Sequence, residues 1–276
     1  MSVEHYENFP VASVLCPPRL RAAITAIYGF ARTADDIADE GNAPPKNRVA
    51  ELEQFLAEFE ASSQGREPGP RWQKVFLPLS AAMAKHALPV QPFRDLIDAF
   101  VQDSSNPVYP DRSHLLDYCR RSANPIGRLL LHLYRIDDEH SLSQSDSICS
   151  ALQLINFWQD LSVDLPRGRC YLPLSDLRGR GLTIEQLKAP SEAEGKAMQE
   201  LVAELCHWSR DMMLKGASLA YRVPGRAGWE LRLVVQGGLR ILDKIAAIDH
   251  LTLNHRPTLA PIDLPLMAWR AMTKSC

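Results

Sequence analysis

The stretch Ala26-Ile27-Tyr28-Gly29-Phe30-Ala31-Arg32-Thr33-Ala34-Asp35-Asp36-Ile37-Ala38-Asp39-Glu40 constrains the fold more than any other part of the chain. Read as a helix, it carries Tyr28, Arg32, Asp35 and Asp39 at i, i+4, i+7 and i+11, one continuous polar stripe. Ile24, Ile27, Phe30, Ala31, Ala34 and Ile37 make the other faces apolar, and a helix apolar on nearly every side is buried. The polar stripe must then face trapped water or a bound ligand. Gly41, Asn42, Pro44 and Pro45 end the helix, so Asp35, Asp36, Asp39 and Glu40 fall in or just before its last turn. There the helix dipole disfavours each acid by roughly 0.3–1 kcal/mol, on top of their mutual repulsion. Carboxylates at i and i+4 suit a hard divalent cation that keeps several waters and shares its shell with a phosphate. A solvated acidic helix end accounts for this segment alone just as well. Asp36, rotated about 100° from Asp35, is the less suited ligand.

The same chemistry recurs far along the chain. Gln153, Asn156, Asp160 and Asp164 stand at i, i+3, i+7 and i+11, beside apolar Leu152, Leu154, Ile155, Phe157 and Trp158, and Pro166 and Gly168 stop the helix there. An amide oxygen and two carboxylates are the all-oxygen donor set that Mg²⁺ prefers. Two such stripes are far harder to explain as solvated helix ends than either alone. Facing each other across a cavity, they would hold a cluster of Mg²⁺ ions and, through it, a diphosphate. Arg167 and Arg169 follow at once and suit the diphosphate's other side, although an exposed basic loop is the better account of that pair taken alone.

The remaining pattern is helical. Pro17-Pro18 opens the first helix, Asn47 to Phe59 reads as an amphipathic cover, and Trp72 to His86 and Phe93 to Gln102 follow, with Pro78 kinking or splitting the former. A helix from Ser113 to Tyr134 is expected to break at Pro125 and Gly127. The next is capped by Ser143 or Ser145 and runs to Asp164. Long helices over 193–221 and 228–249 and a short one from Met267 to Met272 complete the reading. No segment alternates with period two and no linker composition appears, so the chain is read as all-α, a single domain over 1–276.

A net charge of -2 gives no general field for nucleic acid. The first residues carry no export signal, no apolar run reaches the roughly 18 residues of a span, and the six cysteines form no C-x-x-C pair. A cytoplasmic protein with reduced thiols is expected, with peripheral contact at the inner face of the cell membrane left open. The histidines lack zinc-ligand spacing, and no G-x-G-x-x-G stands in a strand-turn-helix context. Trp208, Trp229, Tyr221 and Phe100 are candidates to line an apolar cavity, though most aromatics at helical spacing are core.

Four linked motifs, in order over most of the chain, closely resemble the squalene and phytoene synthase family. They are Tyr28-x-x-x-Arg32-x-x-Asp35-Asp36-x-x-Asp39, Tyr118-Cys119-x-x-Ser122-Ala123-x-x-Ile126-Gly127, Gln153-x-x-Asn156-Phe157-x-x-Asp160-x-x-x-Asp164 and Arg169-x-Tyr171-x-Pro173. His5-Tyr6-Glu7-Asn8-Phe9-Pro10, the run Ala34 to Gly41 and Asn156-Phe157-Trp158-Gln159-Asp160 look like its bacterial hopanoid-pathway branch, which converts presqualene diphosphate to hydroxysqualene.

The resemblance implies an isoprenoid-synthase helical fold around a central apolar cavity, a prenyl diphosphate substrate, Mg²⁺-dependent loss of diphosphate, and functional association with other hopanoid-pathway enzymes. It implies catalytic roles for Asp35, Asp39, Asp160, Asp164, Tyr28 and Tyr171, with Asp35, Asp39, Asn156, Asp160 and Asp164 on metal. The substrate would meet His5, Arg32, Arg120, Arg121, Gln153, Arg167 and Arg169.

Departures from the broader family are Gln159, Arg120 and Arg121, Asn124-Pro125, and Gly237-Gly238, the last leaving room in the pocket. Arg120, Arg121, Asn124 and Gln159 are the polar residues expected to order a water near the final carbocation. The competing readings are head-to-head condensation of two prenyl diphosphates, trans-prenyl chain elongation, and a non-catalytic scaffold. Asp160-x-x-x-Asp164 is not the second D-D-x-x-D that elongation needs, and a scaffold has no reason to keep both acidic stripes.

Overall fold

The computed structural model describes residues 16–273, which form helices and connecting turns with no strand. Four helices make the first half: α1 (Pro18–Asp39), α2 (Pro45–Ser63), α3 (Gln73–His86) and α4 (Gln91–Asp103). After α5 (Arg112–Ser122) and α6 (Asn124–Leu133), the second half contains α7 (Glu139–Gln159), α8 (Leu161–Asp164), α9 (Leu174–Gly179) and α10 (Glu192–Gly216). The chain closes with α11 (Leu219–Arg222), α12 (Gly225–Ala247) and α13 (Leu264–Thr273). Prolines open α1, α2, α4 and α6, where a missing N–H costs nothing. Asp111 and Asp138 cap α5 and α7, and Ser191 with Glu194 forms a capping box on α10.

Each half has its own core. In the first, Phe30 of α1 is fully enclosed, its ring centroid 5.2 Å from Phe55, 5.1 Å from Phe59 and 5.0 Å from Phe93. In the second, α7 packs along α10, and the buried Trp158 indole donates to Ser209 Oγ at 2.8 Å. A Cβ on Gly216 would stand 2.5 Å from the Gln144 carbonyl oxygen, so glycine is what lets these two helices approach. Helix α6 serves both cores, with Leu129 and Leu133 in the first and Leu131 in the second. Between the halves lies an apolar cavity of about 450 Å³, walled by Ile24, Ile27 and Tyr28 of α1, Ile126 and Leu130 of α6, Ile148 and Leu152 of α7, and Leu231 and Val234 of α12. Among the described residues no helix is long and apolar enough to cross a membrane.

The architecture is the all-α one expected, with local differences. Helix α3 runs unbroken through Pro78, its sixth residue, because Phe76 and Leu79 on either side are fully packed in the first core. The break before Pro125 falls at Ala123, so that proline sits in the first turn of α6. Asp138 starts α7 ahead of Ser143 and Ser145, and Ser145 is buried in its interior. Helix α7 stops at Gln159 instead of reaching Asp164, since the Ser162 N–H is drawn to the Thr252 carbonyl and Asp160 becomes the cap. The span 193–221 divides into α10 and α11.

Candidate active site

The two acidic stripes meet beside the cavity. Arg169, in the turn after α8, donates to both carboxylate oxygens of Asp39 at 2.8 and 2.7 Å, tying the loop after the second stripe to the end of the first. The electrostatics report the same convergence. Burial, then the charges of Asp39 and Asp36, push Asp35 up to about 6 against the pull of Arg32 and Arg169. Burial, then Asp160 and more weakly Asp39, push Asp164 up to about 6 against Arg169 and Arg167. Arg32 spans its own helix, 3.1 Å from Asp35, 2.6 Å from Asp36 and 3.1 Å from Glu40. Asp160 accepts a two-pronged bond from Arg256, in the loop after α12.

The donor set is all oxygen, and burial with mutual crowding raises the carboxyls of Asp35 and Asp164 despite the arginines. That is the chemistry of a hard divalent-cation site. Among the described residues no three His, Cys, Asp or Glu side chains converge on one point, because Arg169 and Arg256 hold Asp39 and Asp160 in ion pairs.

Asp103, the last residue of α4, is a further acid of this site that the sequence reading missed. Its Oδ2 accepts from the Tyr118 hydroxyl, while its buried Oδ1 has no hydrogen-bond partner. Burial pushes the carboxyl up to about 7, with the Tyr118 bond and Arg169 opposing and the charges of Asp39 and Asp35 adding. The dipole argument that singles out the two stripes applies equally to an acid ending α4, and it was the available signal. Beside Asp103 the rings of Tyr171 and Phe157 stack 3.8 Å apart at 5°, with Tyr109 5.9 Å from Tyr171. Burial holds the Tyr118 and Tyr171 hydroxyls well above the usual phenol range.

Of the other expected residues, Tyr28 lines the cavity, and Gln153 and Asn156 lie half-buried on α7. Arg167 is exposed but acts on Asp164. His5 lies outside the described residues.

Several expectations need correction. Asp117, three and four residues before them on α5, pairs with both Arg120 and Arg121, and Arg121 also binds Asp98 and Gln102, the residue before Asp103. Gln159 is fully buried and donates to the Pro257 carbonyl at 2.7 Å, which anchors the loop that carries Arg256. Asn124 is buried and accepts from Ser150 at 2.9 Å. The four polar residues expected around one water are therefore dispersed. Gly238 leaves no spare room, since a Cβ there would meet Met213 at 2.8 Å and Leu152 at 3.1 Å. Trp208 lies against Arg112, Tyr221 and Trp229 lie against Arg232, and Phe100 packs on the first core; among the described residues the aromatic rings that line the cavity are Tyr28 and Tyr134.

Comparison with known proteins bears on this arrangement. The sequence profile described as squalene/phytoene synthase matches residues 3–263. The hydroxysqualene synthase of Sinorhizobium fredii is 31% identical over 269 residues, covering 96% of this chain and 88% of that protein. Zymomonas mobilis offers two relatives over nearly the same length. Its hydroxysqualene synthase is 37% identical over 184 residues (66% of this chain, 59% of that protein). Its presqualene diphosphate synthase is 33% identical over 183 (66% and 61%). The crystal structure of a squalene synthase from Alicyclobacillus acidocaldarius superposes with a TM-score of 0.79 at 33% identity, covering 89% of this chain and 90% of that one.

Proposed function

The chain belongs to the squalene/phytoene synthase family and is an isoprenoid synthase of that type, and from this premise we propose that it converts presqualene diphosphate to hydroxysqualene and diphosphate. The observation that carries the proposal is the meeting of two acidic stripes, joined by the Arg169–Asp39 pair, beside an apolar cavity. The choice of product is supported by the Zymomonas pair, where identity is higher to the hydroxysqualene synthase than to the presqualene diphosphate synthase.

In this proposal Asp35, Asp39, Asn156, Asp160 and Asp164 would hold Mg²⁺, which when bound would supply positive charge to offset that of the departing diphosphate. Arg169, Arg256, Arg32 and Arg167 draw in the diphosphate and keep it from recombining. The carbon–oxygen bond to diphosphate breaks, and the cyclopropylcarbinyl cation rearranges between walls that exclude water. The faces of Tyr28 and Tyr134 suit its positive charge. A water oxygen then forms the new carbon–oxygen bond, and the proton it gives up passes to a buried acceptor. Asp103 Oδ1, unpartnered and with a carboxyl pKa of about 7, meets that requirement.

Presqualene diphosphate incubated in ¹⁸O-labelled water, with and without NADPH, tests the reading by mass spectrometry of the extracted alcohol. Label incorporated without NADPH is the expected result; unlabelled alcohol, or squalene formed only with NADPH, defeats it. The match to a presqualene diphosphate synthase supports head-to-head condensation as the second reading. Turnover of farnesyl diphosphate alone to a thirty-carbon product would favour that reading.

A further inference from the structure

Among the described residues, exposed large apolar side chains cluster at the C-terminal end. Ile262 is 84% exposed, Leu264 58%, Trp269 61% and Met272 57%, with Pro261, Pro265, Leu266 and Ala268 also exposed around them. Helix α13 buries Met267 and Ala271 where it packs on α12, so among the described residues the exposed ones form its outer side. Scattered single apolar residues are ordinary on a protein surface, but a contiguous group that includes an exposed tryptophan is an interaction surface.

The charge beneath this surface selects the partner. Asp243 accepts from both Arg210 and Arg270, and Asp263 accepts from both Arg240 and Lys244. Arg240 and Lys244 of α12 and Arg270 of α13 thus stand against two carboxylates, which leaves one surplus positive charge on the α12–α13 face, while Arg210 reaches Asp243 from α10; all four cations remain partly exposed. Apolar side chains with a tryptophan, set over surplus basic charge, match the headgroup boundary of an anionic bilayer. The surface also lies close to the chemistry along the chain. Arg256 holds Asp160, the Pro257 carbonyl holds Gln159, the Thr258 carbonyl accepts from Lys244, and the Ala260 N–H donates to Asp263 at the foot of α13.

We propose that the outer side of α13, with Ile262 before it, docks the protein on an anionic lipid surface. Docking there would hold the acidic cluster beside the phase into which a thirty-carbon alcohol partitions. The appeal to that product rests on the function proposed above; the docking itself is measured without substrate.

The test is co-sedimentation of the full chain with phosphatidylcholine vesicles with and without phosphatidylglycerol, at low and high salt. It is repeated for the triple variant Ile262→Ser, Trp269→Ser, Met272→Ser. The wild type is expected to partition onto phosphatidylglycerol-containing vesicles and to be released by salt, and the triple variant to bind at least about tenfold more weakly. These side chains are exposed, so an unchanged circular-dichroism spectrum and melting temperature establish that the variant is folded. Turnover of detergent-dispersed presqualene diphosphate by the variant should equal that of the wild type, which separates loss of docking from loss of the proposed reaction. Equal vesicle binding by wild type and variant overturns the proposal. So does a wild type that ignores vesicles, whether it sediments as a monomer or as a dimer that the triple variant abolishes, the dimer pointing to a second copy as the occupant.

Discussion

Asp103→Asn isolates the electrostatic state of the acidic cluster. The wild-type carboxyl is held at about 7 against an ordinary 3.8, so between those values the folded chain binds a proton that the unfolded chain has released. The contribution of Asp103 to stability is therefore fully present below pH 3.8 and is lost as the pH rises through about 7. At about 1.4 kcal/mol per pH unit, the separation amounts to roughly 4 kcal/mol, of which roughly 3 kcal/mol falls between pH 5 and pH 8. Asparagine keeps the acceptor for Tyr118 and removes the charge beside Asp39 and Asp35. Stability by urea titration in excess chelator should thus differ little between wild type and Asp103→Asn near pH 4. By pH 8 the variant should be the more stable by roughly 3–4 kcal/mol. Chelator keeps adventitious cations from relieving the wild type. A difference that stays constant from pH 5 to pH 8 would show that Asp103 is ionised throughout, and with it the proton-acceptor role would fall.

Phe30→Ala empties the centre of a fully enclosed phenylalanine cluster and should cost about 3–5 kcal/mol in a urea titration; a loss under about 1 kcal/mol would mean the cluster collapses into the gap. Asp35→Asn and Asp160→Asn should each abolish turnover while leaving far-UV circular dichroism unchanged, and excess chelator should do the same to the wild type; turnover surviving chelation would remove the divalent cation from the proposal. Because Asp35 is crowded by other acids, its replacement should not lower the melting temperature at pH 8, and a large drop there would assign it a structural role instead.

What the sequence made legible is what depends on near neighbours. The stripe Tyr28, Arg32, Asp35 and Asp39, the buried faces of α1, and the proline-led start of α6 all follow from residues within a turn or two of one another. Where a distant partner decides, the reading went astray. Helical periodicity carries on past Asp160 to Asp164, yet Thr252, about ninety residues away, captures the Ser162 N–H and ends α7 early. Arg256 looks like any loop arginine until the tail folds back onto Asp160, and Asp103 like any surface acid until Tyr118 and Arg169 close around it. For Arg120 and Arg121 the partner Asp117 stands three and four residues away on their own helix, a pairing legible from spacing alone.

The ion pairs explain how a chain can carry such a cluster at all. Unpaired, Asp39 and Asp160 would add two partly buried charges to a neighbourhood that already pushes Asp35, Asp103 and Asp164 above the ordinary range. Arg169 and Arg256 offset this by reaching in from loops, one after α8 and one after α12, and not from the rigid helices that carry the acids. A guanidinium held by a loop can exchange a carboxylate for a phosphate oxygen with little disturbance to the core, since both present the same paired-oxygen geometry. The arginines that steady the folded chain are thus, in the proposed reaction, the ones that receive the diphosphate. On this reasoning Arg169→Met should lose both stability and turnover, whereas a purely structural arginine would cost stability and leave the surviving folded fraction fully active.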